Sequence, residues 1–222
     1  MISLYHCVAA RSFRPLWALE ELSLNYELKM LAFPPRVIDK NYLQLNPLGT
    51  VPLLCDGDVR MTESVAICHY LGARYGPSPL IVDVEEPDYG AFLNWLHFGE
   101  ATLTFPQTIV LRYDRLETPE RRLPQAVADY RRWFLGRLRT LEPLLAGREG
   151  ICAGRFTMAD ISVGYALLLA EYLGLEPEFP PSVRYYWQQL KQRDGYGRAR
   201  VAELVAAEAQ GVDTVPAPLR SP

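Results

Sequence analysis

Residues 46–54 read NPLGTVPLL, a turn followed by a short apolar strand with a proline at its start. Proline has no backbone N–H, so Pro52 removes one donor from the strand ladder and leaves the backbone groups of Val51 free for another partner. The bond before a proline is also the peptide bond that adopts the cis form at low cost. The stretch therefore predicts a strand edge at Val51 that is open to a ligand.

The segment after this strand turns at Asp56 and Gly57 and then enters a helix. Residues 65–71 have the apolar spacing of a helix, which predicts Ser64 at its N-terminus. The unpaired N–H groups and partial positive charge of such an end suit a carboxylate, and the side chain of Glu63 suits an ammonium. A ligand with a free amino acid end fits both groups. The alternative, that Glu63 and Ser64 only cap a surface helix, stays open.

The first part of the chain alternates between strand and helix patterns. Residues 2–7 and 26–31 alternate between apolar and polar side chains, and residues 12–24 have helical periodicity. With a short helix, the hairpin and the helix after it, the order is that of a thioredoxin-like βαβ-ββα domain. The Cys-x-x-Cys pair of thioredoxin is missing, which points away from disulfide exchange.

The second part of the chain carries no strand pattern. Segments with helical apolar periodicity cover residues 89–111, 119–145, 158–173 and 183–192. The predicted fold class is therefore α/β plus all-α, an N-terminal thioredoxin-like domain followed by an all-helical C-terminal domain. Thr157 and Asp160, at the start of the third segment, have the pattern of a capping box.

The boundaries between these parts follow from breaks in the patterns. Proline, glycine and acidic residues mark a linker at residues 77–88. The thioredoxin-like domain is accordingly expected over residues 1–76 and the helical domain over residues 89–210. Residues 211–222 lose periodicity and contain several prolines, so we expect an irregular tail there.

Composition and charge exclude several classes of protein. Hydrophobic residues make up 49% of the 222 and charged residues 22%, enough for one large or two small cores. The net charge is −3, and no basic stripe supplies the phosphate contacts of a nucleic-acid binder. Arginines at 121–122, 131–132, 137 and 139 fall at helical intervals among acidic residues. We interpret them as a solvated helix face.

Neither a metal site nor a disulfide framework is expected. The four cysteines lie far apart, and the three histidines have no ligand spacing. Cys7 follows the first strand pattern and is expected to be a buried thiol. Since the sequence shows no signal peptide and no apolar run of membrane length, we expect a cytoplasmic protein without a membrane partner.

The motifs at residues 46–54 and at Glu63-Ser64, joined by a hairpin, closely resemble the glutathione transferase superfamily, and the resemblance covers nearly the whole chain. In that family the valine before a cis-proline exchanges backbone hydrogen bonds with the cysteinyl part of glutathione, and the Glu-Ser pair holds the γ-glutamyl end. The resemblance assigns the first role to Val51 and Pro52 and the second to Glu63 and Ser64. It also implies theta-like, serine-type bacterial relatives, glutathione as co-substrate without a metal, and a homodimer.

The resemblance places the chemistry between the first strand and the first helix, in residues 7–16. A transferase lowers the thiol pKa of glutathione because the thiolate is the nucleophile, and this takes a hydroxyl or N–H donor or a positive charge. Ser12 and Arg11 offer a hydroxyl and a charge and are our candidate catalytic residues. Serine-type members carry their serine slightly earlier, where this chain has Ala10. A plain helix N-cap at Ser12 is the alternative.

A second departure from the family pattern concerns the glycyl carboxylate of glutathione. Many relatives hold it with lysine or glutamine at the position of Thr50, and threonine cannot supply that charge. Thr50 is assigned to the glutathione site by its position, with Lys40 or Arg36 as candidates for the charge. Both are equally compatible with a solvated surface. Arg14 is expected to brace the domain interface rather than to contact sulfur.

Two functions follow from the resemblance. The one we favour is a glutathione S-transferase that conjugates the glutathione thiolate to a small hydrophobic electrophile, with a glutathione-dependent isomerase, dehalogenase or peroxidase as a variant. The other is a non-catalytic binding or regulatory protein of the same fold, which Ala10 and Thr50 favour. Side chains for the electrophile are expected on the first half of the long helix, although aromatic residues at this spacing more often form a core or a subunit interface. Two or three of six candidates are expected to face the electrophile, and the sequence does not say which. The six are Trp95, His97, Phe98, Thr102, Phe105 and Tyr113.

Overall fold

The structure is a computed structural model that describes residues 1–219. Within these residues the chain forms two compact units, one of residues 1–78 and 192–217 and one built around residues 79–191. The end of the chain therefore packs with its beginning. The domain bounds inferred from the sequence stay a prediction.

The first unit contains a mixed sheet of β1 (Ile2–His6), β2 (Tyr26–Met30), β3 (Leu53–Asp56) and β4 (Val59–Met61). Their spatial order is β2-β1-β3-β4. β1 runs parallel to β2 and antiparallel to β3, which runs antiparallel to β4. The parallel pair needs a crossover, and α1 (Phe13–Glu21) supplies it. The predicted thioredoxin-like order is confirmed.

The side chains of β1 alternate between a buried and a half-buried face. Ile2, Leu4 and His6 are buried, and Leu4 lies opposite Leu54 of β3. This is the period of two expected for a strand with one face on the core. His6 therefore occupies a core position, where an imidazole needs hydrogen-bond partners.

The remaining helices of the first unit surround α1. The single turns α2 (Pro35–Ile38) and α3 (Tyr42–Leu45) lead from β2 to β3. α1 packs against α4 (Ser64–Arg74) and against α10 (Asp194–Ala209), the last long helix of the chain. Phe13 and Trp17 of α1 pack edge to face on Tyr196 of α10, and Glu20 forms an ion pair with Arg198 of the same helix.

The second unit is built from α5 (Tyr89–Phe98), α6 (Phe105–Leu111), α7 (Pro124–Leu145), α8 (Met158–Tyr172) and α9 (Pro181–Lys191). The predicted helical character of this part is confirmed. α5 ends where it meets α8, and a Cβ on Gly99 would lie 2.6 Å from the backbone carbon of Ser162, so glycine permits the approach. No helix within residues 1–219 is both long and apolar enough to cross a membrane.

The continuous helix expected over residues 89–111 is interrupted. Residues 99–104 form a π-helical turn between α5 and α6, and residues 112–116 form another after α6. Pro106 has no N–H for the hydrogen bond that continues an α-helix, so the bonding pattern is rearranged just before it. The spacing of the apolar side chains continues through the π-helical turns, so the sequence pattern does not reveal them.

α8 forms the core of the second unit, and residues 158–170 are all buried. It begins with the predicted capping box, in which the Thr157 N–H donates to Asp160 Oδ2 at 2.7 Å and the Thr157 hydroxyl accepts from the first turn. Asp160 Oδ1 accepts from the Ile151 N–H at 2.8 Å and from the Tyr186 hydroxyl at 2.6 Å. Asp160 therefore joins three segments of this unit.

Much of the segment expected as a linker, residues 77–88, is bound to the second unit by hydrogen bonds and an ion pair. Arg155, just before α8, donates to the carbonyl oxygens of Pro79 and Ile81. It also forms an ion pair with Glu86 at 2.7 Å. These contacts hold the entry to α5 in one conformation.

The chain beyond α10 is irregular and ends in a short 3₁₀ turn at Ala217–Leu219. Gln210, directly after α10, accepts from the Met30 N–H and donates to the Leu28 carbonyl, so it is bonded to the outer edge of β2. Of the tail expected over residues 211–222, residues 220–222 lie outside the described residues.

Candidate active site

The segment Thr50-Val51-Pro52 leads into β3 with a cis bond between Val51 and Pro52. The carbonyl oxygen of Thr50 accepts from the Tyr42 hydroxyl at 2.7 Å and from Asn46 Nδ2 at 2.8 Å. By contrast, neither backbone group of Val51 has a hydrogen-bond partner among residues 1–219. The strand edge is therefore held in place by its neighbours, and the backbone groups of Val51 are left open.

Glu63 and Ser64 stand at the head of α4. The helix begins at Ser64, and Glu63 occupies the N-cap position without a side-chain hydrogen bond to the helix. The exposed Glu63 carboxylate has no ion-pair or hydrogen-bond partner in the part of the chain that the structure describes. The capping alternative is thereby excluded for Glu63, whose carboxylate is available to a ligand.

Arg14 connects α1 to the head of α4. Its side chain is fully buried, and its Nη1 donates to Ser64 Oγ at 3.1 Å. The guanidinium therefore adds positive charge beside a helix N-terminus that already favours an anion. We expected Arg14 at a domain interface, and this contact lies within the first unit.

Ser12 occupies the N-cap position of α1 but does not cap it. Its backbone is helical, with φ −65° and ψ −10°, and its side chain forms no cap hydrogen bond. Its Oγ lies 2.7 Å from His6 Nδ1 and accepts from the Cys7 N–H at 3.4 Å. The plain N-cap alternative is therefore wrong. Ser12 is fully buried, whereas Arg11 beside it is half-buried.

His6 links Ser12 to a carboxylate from the far end of the chain. His6 Nε2 lies 2.9 Å from Glu203 Oε2, and the Ala9 N–H donates to the same oxygen at 3.0 Å. Ala9 has a left-handed backbone, with φ 55°, which is unusual for a residue with a Cβ. Arg200 donates to the other oxygen, and Glu203 is fully buried. α10 therefore fixes the loop that carries Ser12.

The charge of His6 determines what the Ser12 hydroxyl can do. An ionised Glu203 only accepts, so Nε2 carries a proton and donates it to the carboxylate. If Nδ1 is unprotonated, it accepts the Ser12 hydroxyl proton, and that proton is not available to a ligand. If His6 is an imidazolium, Nδ1 donates to Ser12 Oγ, and the hydroxyl proton is free for an anion.

Arg36 lies alongside the open strand edge. A Cβ on Gly49 would lie 2.5 Å from Arg36 Cβ and 3.3 Å from Arg36 Cα, so Arg36 packs against the glycine that precedes Thr50. The exposed Arg36 side chain has no ion-pair partner among residues 1–219. Lys40, the other candidate, donates to the Arg36 carbonyl at 3.0 Å. Arg36 is therefore the better placed of the two for a carboxylate near Thr50.

Three of the four thiols, those of Cys7, Cys68 and Cys152, are poor candidates for chemistry. Cys7 is buried, as predicted, and burial raises the pKa of Cys68 to about 12 and that of Cys152 to about 11. Both therefore stay protonated at neutral pH. Within the described residues, no group of three or more histidine, cysteine or acidic side chains is placed to hold a metal ion.

The side chains proposed for the electrophile lie outside the core. All six are half-buried or exposed, namely Trp95, His97, Phe98, Thr102, Phe105 and Tyr113. Two of them, Trp95 and Phe98, pack edge to face with ring centroids 5.1 Å apart. Phe105 is 54% exposed, although it is a large apolar residue. None of the six is fully buried in the core, and the alternative of a subunit interface stays open.

Two residues of the site, His6 and Glu203, were not among those predicted from the sequence. His6 had a local signal, because it falls on the buried alternation of β1. No local pattern indicated Glu203. It lies within α10, and 197 positions separate it from His6 in the sequence.

Comparison with known proteins agrees with this geometry. Residues 1–73 match the family described as "Glutathione S-transferase, N-terminal domain". Glutathione S-transferase hmp2 of Hypomyces subiculosus is 30% identical over 203 residues, which cover 86% of this chain and 94% of that protein. Glutathione S-transferase GstB of Escherichia coli K12 is 30% identical over 182 residues, covering 80% of this chain and 86% of that protein.

A solved structure extends the similarity to the whole fold. The crystal structure of glutathione transferase URE2P6 from Phanerochaete chrysosporium, in complex with oxidized glutathione, has a TM-score of 0.79 and 26% sequence identity. The match covers 92% of this chain and 97% of that one. The chain therefore belongs to the glutathione S-transferase family, and the resemblance seen at residues 46–54 is confirmed, together with the expected enzyme class. A theta-like, serine-type assignment stays a prediction.

Proposed function

We propose that this protein binds glutathione at the open strand edge and the head of α4, and conjugates the glutathione thiolate to a small hydrophobic electrophile. One observation carries the proposal. The backbone groups of Val51 and the carboxylate of Glu63 have no partners in the described residues, while the groups around them are held by hydrogen bonds.

In this proposal each part of glutathione meets a complementary group. Val51, before Pro52, exchanges backbone hydrogen bonds with the cysteinyl unit, and Glu63 binds the ammonium of the γ-glutamyl unit. Ser64 and the N–H groups of the first turn of α4 receive the γ-glutamyl carboxylate, close to the charge of Arg14.

The glycyl carboxylate of glutathione must be bound by a different residue from the one that many relatives use. The carbonyl of Thr50 is occupied by Tyr42 and Asn46, so Thr50 contributes by holding the strand edge. We assign the glycyl carboxylate to Arg36, whose guanidinium forms charge-assisted hydrogen bonds with carboxylates.

Arg11 and Ser12 are the proposed catalytic residues. The glutathione thiol loses its proton to solvent, and the sulfur lone pair forms a bond to an electrophilic carbon as that carbon releases a leaving group or a π electron pair. Arg11 stabilises the thiolate by its charge, and Ser12 donates its hydroxyl proton when His6 is an imidazolium.

The exposed and half-buried aromatic side chains of α5 and α6 favour an apolar electrophile. An isomerase, dehalogenase or peroxidase variant would use the same thiolate with a different second substrate and a different fate for the glutathione sulfur. Assembly as a homodimer and a cytoplasmic location are further expectations of the family resemblance.

Calorimetric titration with glutathione tests the binding site. We expect Glu63→Gln to weaken binding about tenfold, because it removes a charge-assisted contact to the ammonium. Asp58→Asn is the matched control, since Asp58 is also an exposed acidic residue of the first unit. Equal affinity in wild type and Glu63→Gln, or no binding at all, would overturn the proposal.

A further inference from the structure

The peptide unit that joins Thr50 to Val51 is held by the protein at one end and open at the other. Its carbonyl oxygen, on Thr50, accepts from the Tyr42 hydroxyl at 2.7 Å and from Asn46 Nδ2 at 2.8 Å. Its N–H, on Val51, has no hydrogen-bond partner among residues 1–219. The unit is trans, so its C=O and N–H point in opposite directions. The contacts that fix the carbonyl therefore also fix the direction of the open N–H.

Tyr42 is firmly placed for its contact with this carbonyl. It is the first residue of α3, only 1% of its surface is exposed, and its ring packs on that of Tyr5 with centroids 5.5 Å apart. Its backbone N–H donates to Asp39 Oδ1 at 3.2 Å. Burial raises the pKa of Tyr42 to about 12, so the hydroxyl stays protonated and remains a donor at neutral pH.

Asn46 holds the same carbonyl from the turn that precedes it. Its Oδ1 accepts from the Leu48 N–H at 3.2 Å, which fixes the orientation of the amide and leaves Nδ2 to donate to Thr50. Its backbone carbonyl accepts from the N–H of Gly49, whose φ of 60° suits glycine. Asn46 Nδ2 also lies 3.4 Å from the hydroxyl oxygen of Tyr42. The two side chains thus form one connected network on the Thr50 carbonyl.

This network also affects the strength of the open donor. A carbonyl that accepts hydrogen bonds is polarised, and hydrogen bonds in a chain strengthen one another, so the N–H of the same peptide unit becomes a better donor. The Tyr42 hydroxyl therefore influences both the direction and the strength of a hydrogen bond that Val51 donates to a ligand.

We propose that Tyr42 is a positioning residue for glutathione binding, which directs the Val51 N–H at the carbonyl oxygen of the cysteinyl unit. The inference rests on the proposed function, in which Val51 exchanges backbone hydrogen bonds with that unit. Tyr42 acts only through the Thr50–Val51 peptide. Its effect therefore depends on the cysteinyl carbonyl of the ligand, and not on the γ-glutamyl or glycyl end, which other residues bind.

Tyr42→Phe tests this role, because it removes the hydroxyl and keeps the ring that packs on Tyr5. Calorimetric titration of the full chain should show about fivefold weaker binding of glutathione, as the loss of one hydrogen bond predicts. At saturating glutathione, kcat should stay within about twofold of the wild type, since the catalytic residues are unchanged. The matched control is Tyr70→Phe, which removes a hydroxyl that donates to Asp56 at the other end of β3 and should leave the affinity unchanged.

Two shortened ligands distinguish positioning from a general loosening of the strand edge. γ-Glutamylcysteine amide keeps the cysteinyl carbonyl and lacks the glycyl carboxylate, whereas γ-glutamylcysteamine lacks both groups. Titrated in competition with glutathione, the first should bind Tyr42→Phe about fivefold more weakly than wild type, and the second should bind both proteins within about twofold. Equal weakening of both ligands would show a purely structural role for Tyr42 and would overturn the inference.

The titrations also separate this inference from the proposed function. Unchanged glutathione affinity in Tyr42→Phe, with wild-type binding that still depends on Glu63, would overturn the role of Tyr42 alone. No binding of glutathione to the wild type would overturn the proposed function and the role of Tyr42 together.

Discussion

The residues of the candidate site fall into two groups, those held by the protein and those left open. The hydroxyls of Ser12 and Ser64 and the carbonyl of Thr50 all have protein partners. The backbone of Val51 and the carboxylate of Glu63 have none among residues 1–219. A site that is pre-organised in this way binds its ligand without first ordering its own groups.

Glu203 is expected to act on glutathione through His6 and Ser12 as a positioning residue. Glu203→Gln removes the buried carboxylate charge that holds His6 Nε2 and the Ala9 N–H, so the loop is held less firmly and the Ser12 hydroxyl is less well placed for the thiolate. We predict that the thiol pKa of bound glutathione rises by about one unit and that kcat/KM at neutral pH falls about tenfold. The pH profile of kcat/KM and the thiolate absorbance measure this.

The control for this prediction is Glu208→Gln, an exposed acidic residue near the end of the same helix. It should leave both the pH profile and the thiolate absorbance unchanged. A folded Glu203→Gln protein with the wild-type thiol pKa would show that the buried network only stabilises the loop.

Among the elements, the strands and helix starts were the most predictable features. The start of α4 at Ser64 and the capping box of α8 follow from local sequence, because caps and periodicity act within a few residues. The π-helical turn before Pro106 did not follow, since apolar periodicity continues through it. The packing of α10 on α1 depends on tertiary contacts that no local pattern encodes.

The capping box of α8 is expected to matter for stability rather than for chemistry. Asp160→Ala leaves the donors of Thr157, Ile151 and Tyr186 without their buried acceptor. We predict a loss of about 3 kcal/mol in the free energy of unfolding, by analogy with other buried hydrogen bonds to charged groups. Denaturant unfolding measures it, with the exposed Asp129→Ala as a control that should change little.

Turnover of the folded fraction separates stability from chemistry in this variant. Once corrected for the amount of folded protein, Asp160→Ala should retain the kcat of the wild type. Full stability combined with lost turnover would contradict the structural role.

For the molecule as a whole, the local backbone features of the candidate site could be predicted from the sequence, whereas its long-range contacts could not. Residues 46–64 carry the strand edge and the helix start in one continuous stretch, so their chemistry could be read directly. The loop around Ser12 depends on Glu203, which lies 197 positions from His6 in the sequence. This is a long-range contact, which residue spacing does not reveal.

The most direct test of glutathione activation by this protein is the absorbance of the thiolate band of glutathione bound to the wild type, followed across pH. We predict a thiol pKa below that of free glutathione, and a smaller depression in Arg11→Ala and Ser12→Ala. Binding that depends on Glu63 but leaves the thiol pKa at its free value would contradict the proposed mechanism, because the site would then hold glutathione without activating it.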